Sequence, residues 1–121
     1  MQARSPQELL AQCRLEHPTW PEIIAQRWSE GKQLMDPNFF RAEKDFIGDW
    51  PKVAAAIACP ALLITADPEL GGIINEQTAH IATQANSQLR VARIAGAGHH
   101  IRFGKQAEYL EVVRAFLAQI G

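Results

Sequence analysis

Two places in this sequence put groups capable of acid–base chemistry just past the ends of short strand-like segments. Asp67 comes just after Ala61-Leu62-Leu63-Ile64-Thr65, and His99-His100 come just after Leu89-Arg90-Val91-Ala92-Arg93-Ile94. A carboxylate that accepts the N–H of one histidine nitrogen fixes the tautomer and stabilises the imidazolium formed when the other nitrogen takes a proton. That is the acid–base half of nucleophilic catalysis. Glu69 is an alternative acid, and Asp67 has a plainer role open to it as a turn or cap residue before Pro68. His100 could border a pocket or cap its loop, while His17 and His80 read as surface or packing residues. Adjacent histidines seldom both reach one ion and no helical His-x-x-x-His occurs, so no metal site is expected.

The elements that must position these groups can be read from pattern. Ala61–Thr65, bounded by Cys59-Pro60 and Asp67-Pro68, reads as a strand buried on both faces. A loop with Gly71-Gly72 follows, then a helix from about residue 75 to 85 with Ala79, Ile81 and Ala82 inward. Leu89 to Ile94 reads as a second strand. Gly96-Ala97-Gly98 forms a tight loop that can turn sharply and present the histidine ring. A final helix from about residue 106 to 120 carries a stripe of Tyr109, Leu110, Val113, Phe116 and Leu117. The order strand, helix, strand, helix predicts an α/β fold with parallel strands and a right-handed crossover. Neighbouring parallel strands lie about 5 Å apart, so a carboxylate and an imidazole in the two closing loops can touch.

Residues 1 to 57 have a different texture, that of helices between turns. Ser5-Pro6-Gln7-Glu8 is a capping box with proline at the first helical position, opening a helix to about Glu16 with Leu9, Leu10 and Cys13 on one face. His17-Pro18 stops it. Thr19-Trp20-Pro21-Glu22 repeats the capping pattern for a second helix, and Asp36-Pro37 and Asp49-Trp50-Pro51 start two shorter elements. Trp20, Trp28, Phe39, Phe40 and Trp50 are candidates for core or for a substrate pocket.

Composition narrows the function classes. The 121 residues suit a small globular protein at 47% hydrophobic and 21% charged, and a formal net charge of -1 gives no electrostatic case for nucleic acid or an anionic membrane. No apolar run approaches the roughly 20 residues of a membrane span, and the first residues lack the apolar segment of a signal peptide. Cys13 and Cys59 stand far apart without CxxC spacing, so neither a zinc site nor a disulfide framework is expected and a reduced, cytoplasmic setting is the default.

Leu62-Leu63-Ile64-Thr65-Ala66-Asp67, then Gly96-Ala97-Gly98-His99, then the amphipathic helix of Tyr109 to Leu117 resemble the end of an α/β-hydrolase. In that family the triad runs serine, acid, histidine along the chain, with the histidine after the last strand in a Gly-x-Gly-His context. The resemblance covers residues 58 to 121 and implies Asp67 as triad acid, Glu69 as its alternative, and His99 rather than His100 as base. It implies no cofactor, because the chemistry needs only side chains and water. The helical stretch before it, with His17-Pro18-Thr19-Trp20 and Asp49-Trp50, resembles the end of a cap; residues 1–48 would be that remnant and 49–121 the last part of the core.

The pattern departs from the family at its centre. No Gly-x-Ser-x-Gly is present; the serines are Ser5, Ser29 and Ser87, and none is flanked by glycines. The chain would then be a hydrolase fragment for an ester or similar small carbonyl substrate, its nucleophile supplied by an N-terminal half. The alternative is a non-catalytic α/β binding module. The first strand should leave one edge open, a site for self-association as a homodimer.

Overall fold

The computed structural model describes residues 4–40 and 48–121; the side chains at 37 and 40 lie outside that description, and with them the expectation for Phe40. The chain divides into two compact units, Met1–Lys44 and Asp45–Gly121.

The first unit holds α1 (Pro6–Glu16), α2 (Glu22–Leu34) and a 3-10 turn at Pro37–Phe40. The Ser5 hydroxyl accepts from the Glu8 N–H at 3.3 Å and the Glu8 carboxylate accepts from the Ser5 N–H at 2.7 Å, which closes the capping box. The second helix differs from expectation. Its N-cap is Pro21, which has no side-chain acceptor, so no side chain caps it; the Pro21 carbonyl instead accepts from Ile24 and Ala25 at 2.9 and 3.2 Å. The two helices pack on each other through small residues, with Cys13, Ala25 and Ser29 buried. The Ser29 hydroxyl is satisfied by the Ala25 carbonyl at 2.8 Å. The His17 ring stacks on Trp20 at 3.9 Å with Trp28 edge-on at 6.4 Å. Trp20 and Trp28 are half-buried, as is Trp50 of the second unit, and Phe39 is exposed. None of these four is a fully enclosed core residue.

The second unit runs α3 (Trp50–Ala55), β1 (Ala61–Thr65), a 3-10 turn at Pro68–Leu70, α4 (Glu76–Ala85), β2 (Leu89–Arg93), α5 (Ile101–Gly104) and α6 (Gln106–Ile120). The two strands are parallel, with Ala61 opposite Leu89 through to Thr65 opposite Arg93. Pairing continues past them, as Ile94 N–H donates to the Thr65 carbonyl and Asp67 N–H to the Ala97 carbonyl, both at 2.9 Å. The chain is therefore α/β in the general sense, helices around a two-stranded parallel sheet. Asn75 caps α4 through the Thr78 N–H at 2.8 Å. The buried Asn86 side chain donates to the carbonyls of Ala54 and Ile57 at 3.0 and 2.9 Å and accepts from the Gln88 N–H at 2.9 Å. One amide thus stitches the end of α3 to the approach to β2.

Burial is lighter than the sequence pattern predicts. The core of this unit is Ala66, Ile94 and Ala97, against which Ile64, Ile101, Tyr109 and Val112 pack. In β1 only Thr65 is buried and the other four residues are half-buried; with a single neighbouring strand, the faces expected to be covered are covered only in part. On α4, Ala79 and Ala82 are buried but Ile81 is 41% exposed. On α6, Tyr109, Val112, Val113 and Phe116 turn inward while Leu110 and Leu117 do not, so the expected stripe is narrower and shifted. No helix among the described residues is long and apolar enough to cross a membrane.

Candidate functional site

The carboxyl ends of β1 and β2 bring two loops into contact. Thr65-Ala66 leads to Asp67, whose carbonyl accepts from Leu70 and Gly72 at 3.0 and 2.9 Å, winding the first loop into its 3-10 turn. Gly71 closes this turn at φ +94°, a conformation that favours glycine. The second loop turns at Gly96, φ +75°. The loops touch so closely that a β-carbon on Gly98 would lie 2.8 Å from the Leu70 carbonyl oxygen. The glycine at 96 supplies the sharp turn and the one at 98 supplies room for the neighbouring backbone.

The Asp67 carboxylate is fully engaged within this contact. One oxygen accepts from the Gly96 N–H at 2.7 Å, and the other from Arg93 Nε and Nη2 at 2.9 and 2.7 Å. The Asp67 side chain is 20% exposed. The Gly96 N–H foremost, and then the Arg93 guanidinium, hold its carboxyl below the usual aspartate range, because both bond to the charged form. Arg93 also reaches Glu76 in the first turn of α4 at 3.2 Å. Glu69 stands on the same turn as Asp67, exposed, and acts on Arg93 as a charge at a distance.

His99 lies three residues beyond Gly96 and is exposed. Its ring sits edge-on to His100 at 5.0 Å, and His100 in turn stacks on Phe103 at 5.6 Å, with the Arg102 guanidinium 5.0 Å from the Phe103 ring. His99 borders an apolar recess of about 240 Å³ with Ile64, Ala66, Ile73, Ile74 and Ile101, and a second, more polar recess of about 400 Å³ with Leu62, His100, Arg102 and Tyr109. Asp67 and Glu69 line a different recess of about 710 Å³, with Thr65, Asn75, Glu76 and Arg93.

The structure brings together the loops that carry Asp67 and His99, and the two side chains line different recesses. The expected carboxylate–imidazole hydrogen bond is not among the bonds Asp67 makes; its oxygens are taken by Gly96 and Arg93. Arg93 and the Gly96 N–H were not singled out from sequence. The signal was present in the register, since Arg93 ends β2 opposite Thr65, two residues before Asp67. Among the described residues no group of three or more His, Cys, Asp or Glu is gathered as a metal would require. Compared with known proteins, the chain matches no family model, no curated protein and no solved structure.

Proposed function

We propose that this chain carries the histidine-and-carboxylate half of a hydrolase site whose nucleophile comes from outside residues 1–121. One observation carries the reading: the loops closing two adjacent parallel strands are locked together, by Asp67 N–H on the Ala97 carbonyl at 2.9 Å, with His99 at the rim of an apolar recess beside them. In parallel sheets this end is where ligands bind, because loops and helix N-termini converge there. His99 is the base. The acid comes from the loop of residues 67–70: the sequence pattern ranks Asp67 first, but both its oxygens are taken by Gly96 and Arg93, which favours Glu69, exposed on the same turn. The substrate is an ester or similar carbonyl compound small enough for the recess, and no cofactor takes part.

The test is co-expression with the polypeptide encoded immediately upstream, followed by assay of p-nitrophenyl esters. Activity that requires both chains is expected, falling roughly 10⁴-fold in His99→Ala. Glu69→Gln in the same assay tests Glu69 as the acid. Inactivity of the pair, or activity indifferent to His99, overturns the proposal. A second reading, a non-catalytic α/β module, is favoured by the engagement of both Asp67 oxygens in structural bonds. The same assay separates the two.

A further inference from the structure

We infer that Asp67 is a positioning residue, a clasp whose carboxylate sets the backbone of the Gly96–His99 loop and so the place of the His99 imidazole without touching it. The inference rests on His99 being the working residue of the proposed site.

Three features of one small region point this way. Asp67 grips the second loop from two sides, since its carboxylate accepts from Gly96 at 2.7 Å while its own N–H donates to Ala97 at 2.9 Å. The carboxylate is itself anchored by two guanidinium N–H groups of Arg93, at the end of the strand from which that loop springs. Gly98, the residue before His99, is seated against the Leu70 carbonyl with no room for a β-carbon. A loop fixed at 96, 97 and 98 leaves little freedom to the backbone at 99. Meanwhile the recesses that His99 borders do not include Asp67. An ordinary surface ion pair would contribute little, but a carboxylate on a backbone N–H acts on the geometry of the main chain.

Asparagine at 67 cannot substitute. Its one oxygen can accept from Gly96 or from Arg93, and its NH₂ then confronts the other donor. The experiment is NMR on the full chain, following the amides of 96 to 99 through a pH titration. In the parent chain the Gly96 amide shift should titrate at acid pH with the Asp67 carboxyl. In Asp67→Asn the amides of 96 to 99 should lose that transition and exchange about tenfold or more faster, as expected when a local opening becomes easier.

Unchanged 96–99 amides in Asp67→Asn, or a Gly96 amide that does not titrate at acid pH in the parent chain, would overturn the clasp. Should Asp67→Asn fail to fold, Arg93→Gln leaves the Gly96 bond in place. The Gly96 amide should then titrate at a higher pH than in the parent, and an unshifted midpoint overturns the inference. Because every readout is spectroscopic, absence of hydrolase activity would sink the proposed function and leave the clasp standing.

Discussion

Asp67 and Glu8 are both carboxylates that accept from a backbone N–H, and both are held below their usual range, Asp67 by Gly96 then Arg93 and Glu8 by the Ser5 backbone then its hydroxyl. A folded-state pKa lowered in this way contributes stability that is fully present above the unfolded value and is lost as pH falls through the folded one. For Asp67 the ordinary value is 3.8, so the urea midpoint should decline as pH drops below it, and the decline should be shallower in Asp67→Asn. An equal loss from that substitution at pH 2 and pH 6 would contradict the linkage. The two thiols should differ as plainly. Cys13 is buried and Cys59 exposed, and burial together with the charges of Glu16 and Glu22 pushes the Cys13 thiol up. Maleimide at neutral pH should label one cysteine of the native chain, Cys59, and both in denaturant; rapid labelling of Cys13 would show that α1 and α2 part readily. At 98 any side chain meets the Leu70 carbonyl. Gly98→Ala should destabilise by about 1–3 kcal/mol, the usual penalty for overpacking, measurable as a lower unfolding midpoint.

At the scale of elements, much was legible in the sequence, and for local reasons. Ala61–Thr65 stands out as an apolar run between two prolines, and Ser5, Asp49 and Asn75 announce helices because their short side chains can reach free N–H groups. These signals act within a few residues. What was not legible depends on partners distant in sequence. Ile81, Leu110 and Leu117 fit their helical stripes but are 41%, 38% and 54% exposed, because stripe width is set by what lies opposite. The short helix Ile101–Gly104 follows the histidines without a capping side chain, so nothing local marks it. The site divided in the same way. Placing Asp67 and His99 in touching loops required only strand order, whereas the destination of the Asp67 carboxylate depended on Arg93, a residue 26 positions away. Asn86 is the element-scale test. Asn86→Ala removes three hydrogen bonds, two of them to the carbonyls of Ala54 and Ile57 at and just past the end of α3. It should lower stability by about 1–3 kcal/mol, given that an intramolecular hydrogen bond contributes about 0.5–1.5 kcal/mol. A loss under about 0.5 kcal/mol, as at an ordinary surface position, would show that the stitch is ornamental.

For the whole molecule, the decisive fact is how little of the second unit is enclosed. Its buried apolar residues are mostly alanines, and β1 has β2 as its one strand neighbour among the described residues. An unpaired edge of this kind invites strand addition. The isolated chain should therefore self-associate, with sedimentation showing mass rising across micromolar concentrations. A clean monomer throughout that range would count against an incomplete sheet. The parallel register has a further consequence, for the order in which the unit assembles. Ala61 meets Leu89 only after the whole intervening segment, α4 included, has been gathered in. Closing so long a loop carries an entropic penalty before any strand contact rewards it. A helix already wound at Glu76–Ala85 shortens the span to be searched, so helix-weakening changes on α4 would slow folding. Should the Asp67 bonds close after the strands have paired, their loss would be felt as faster unfolding.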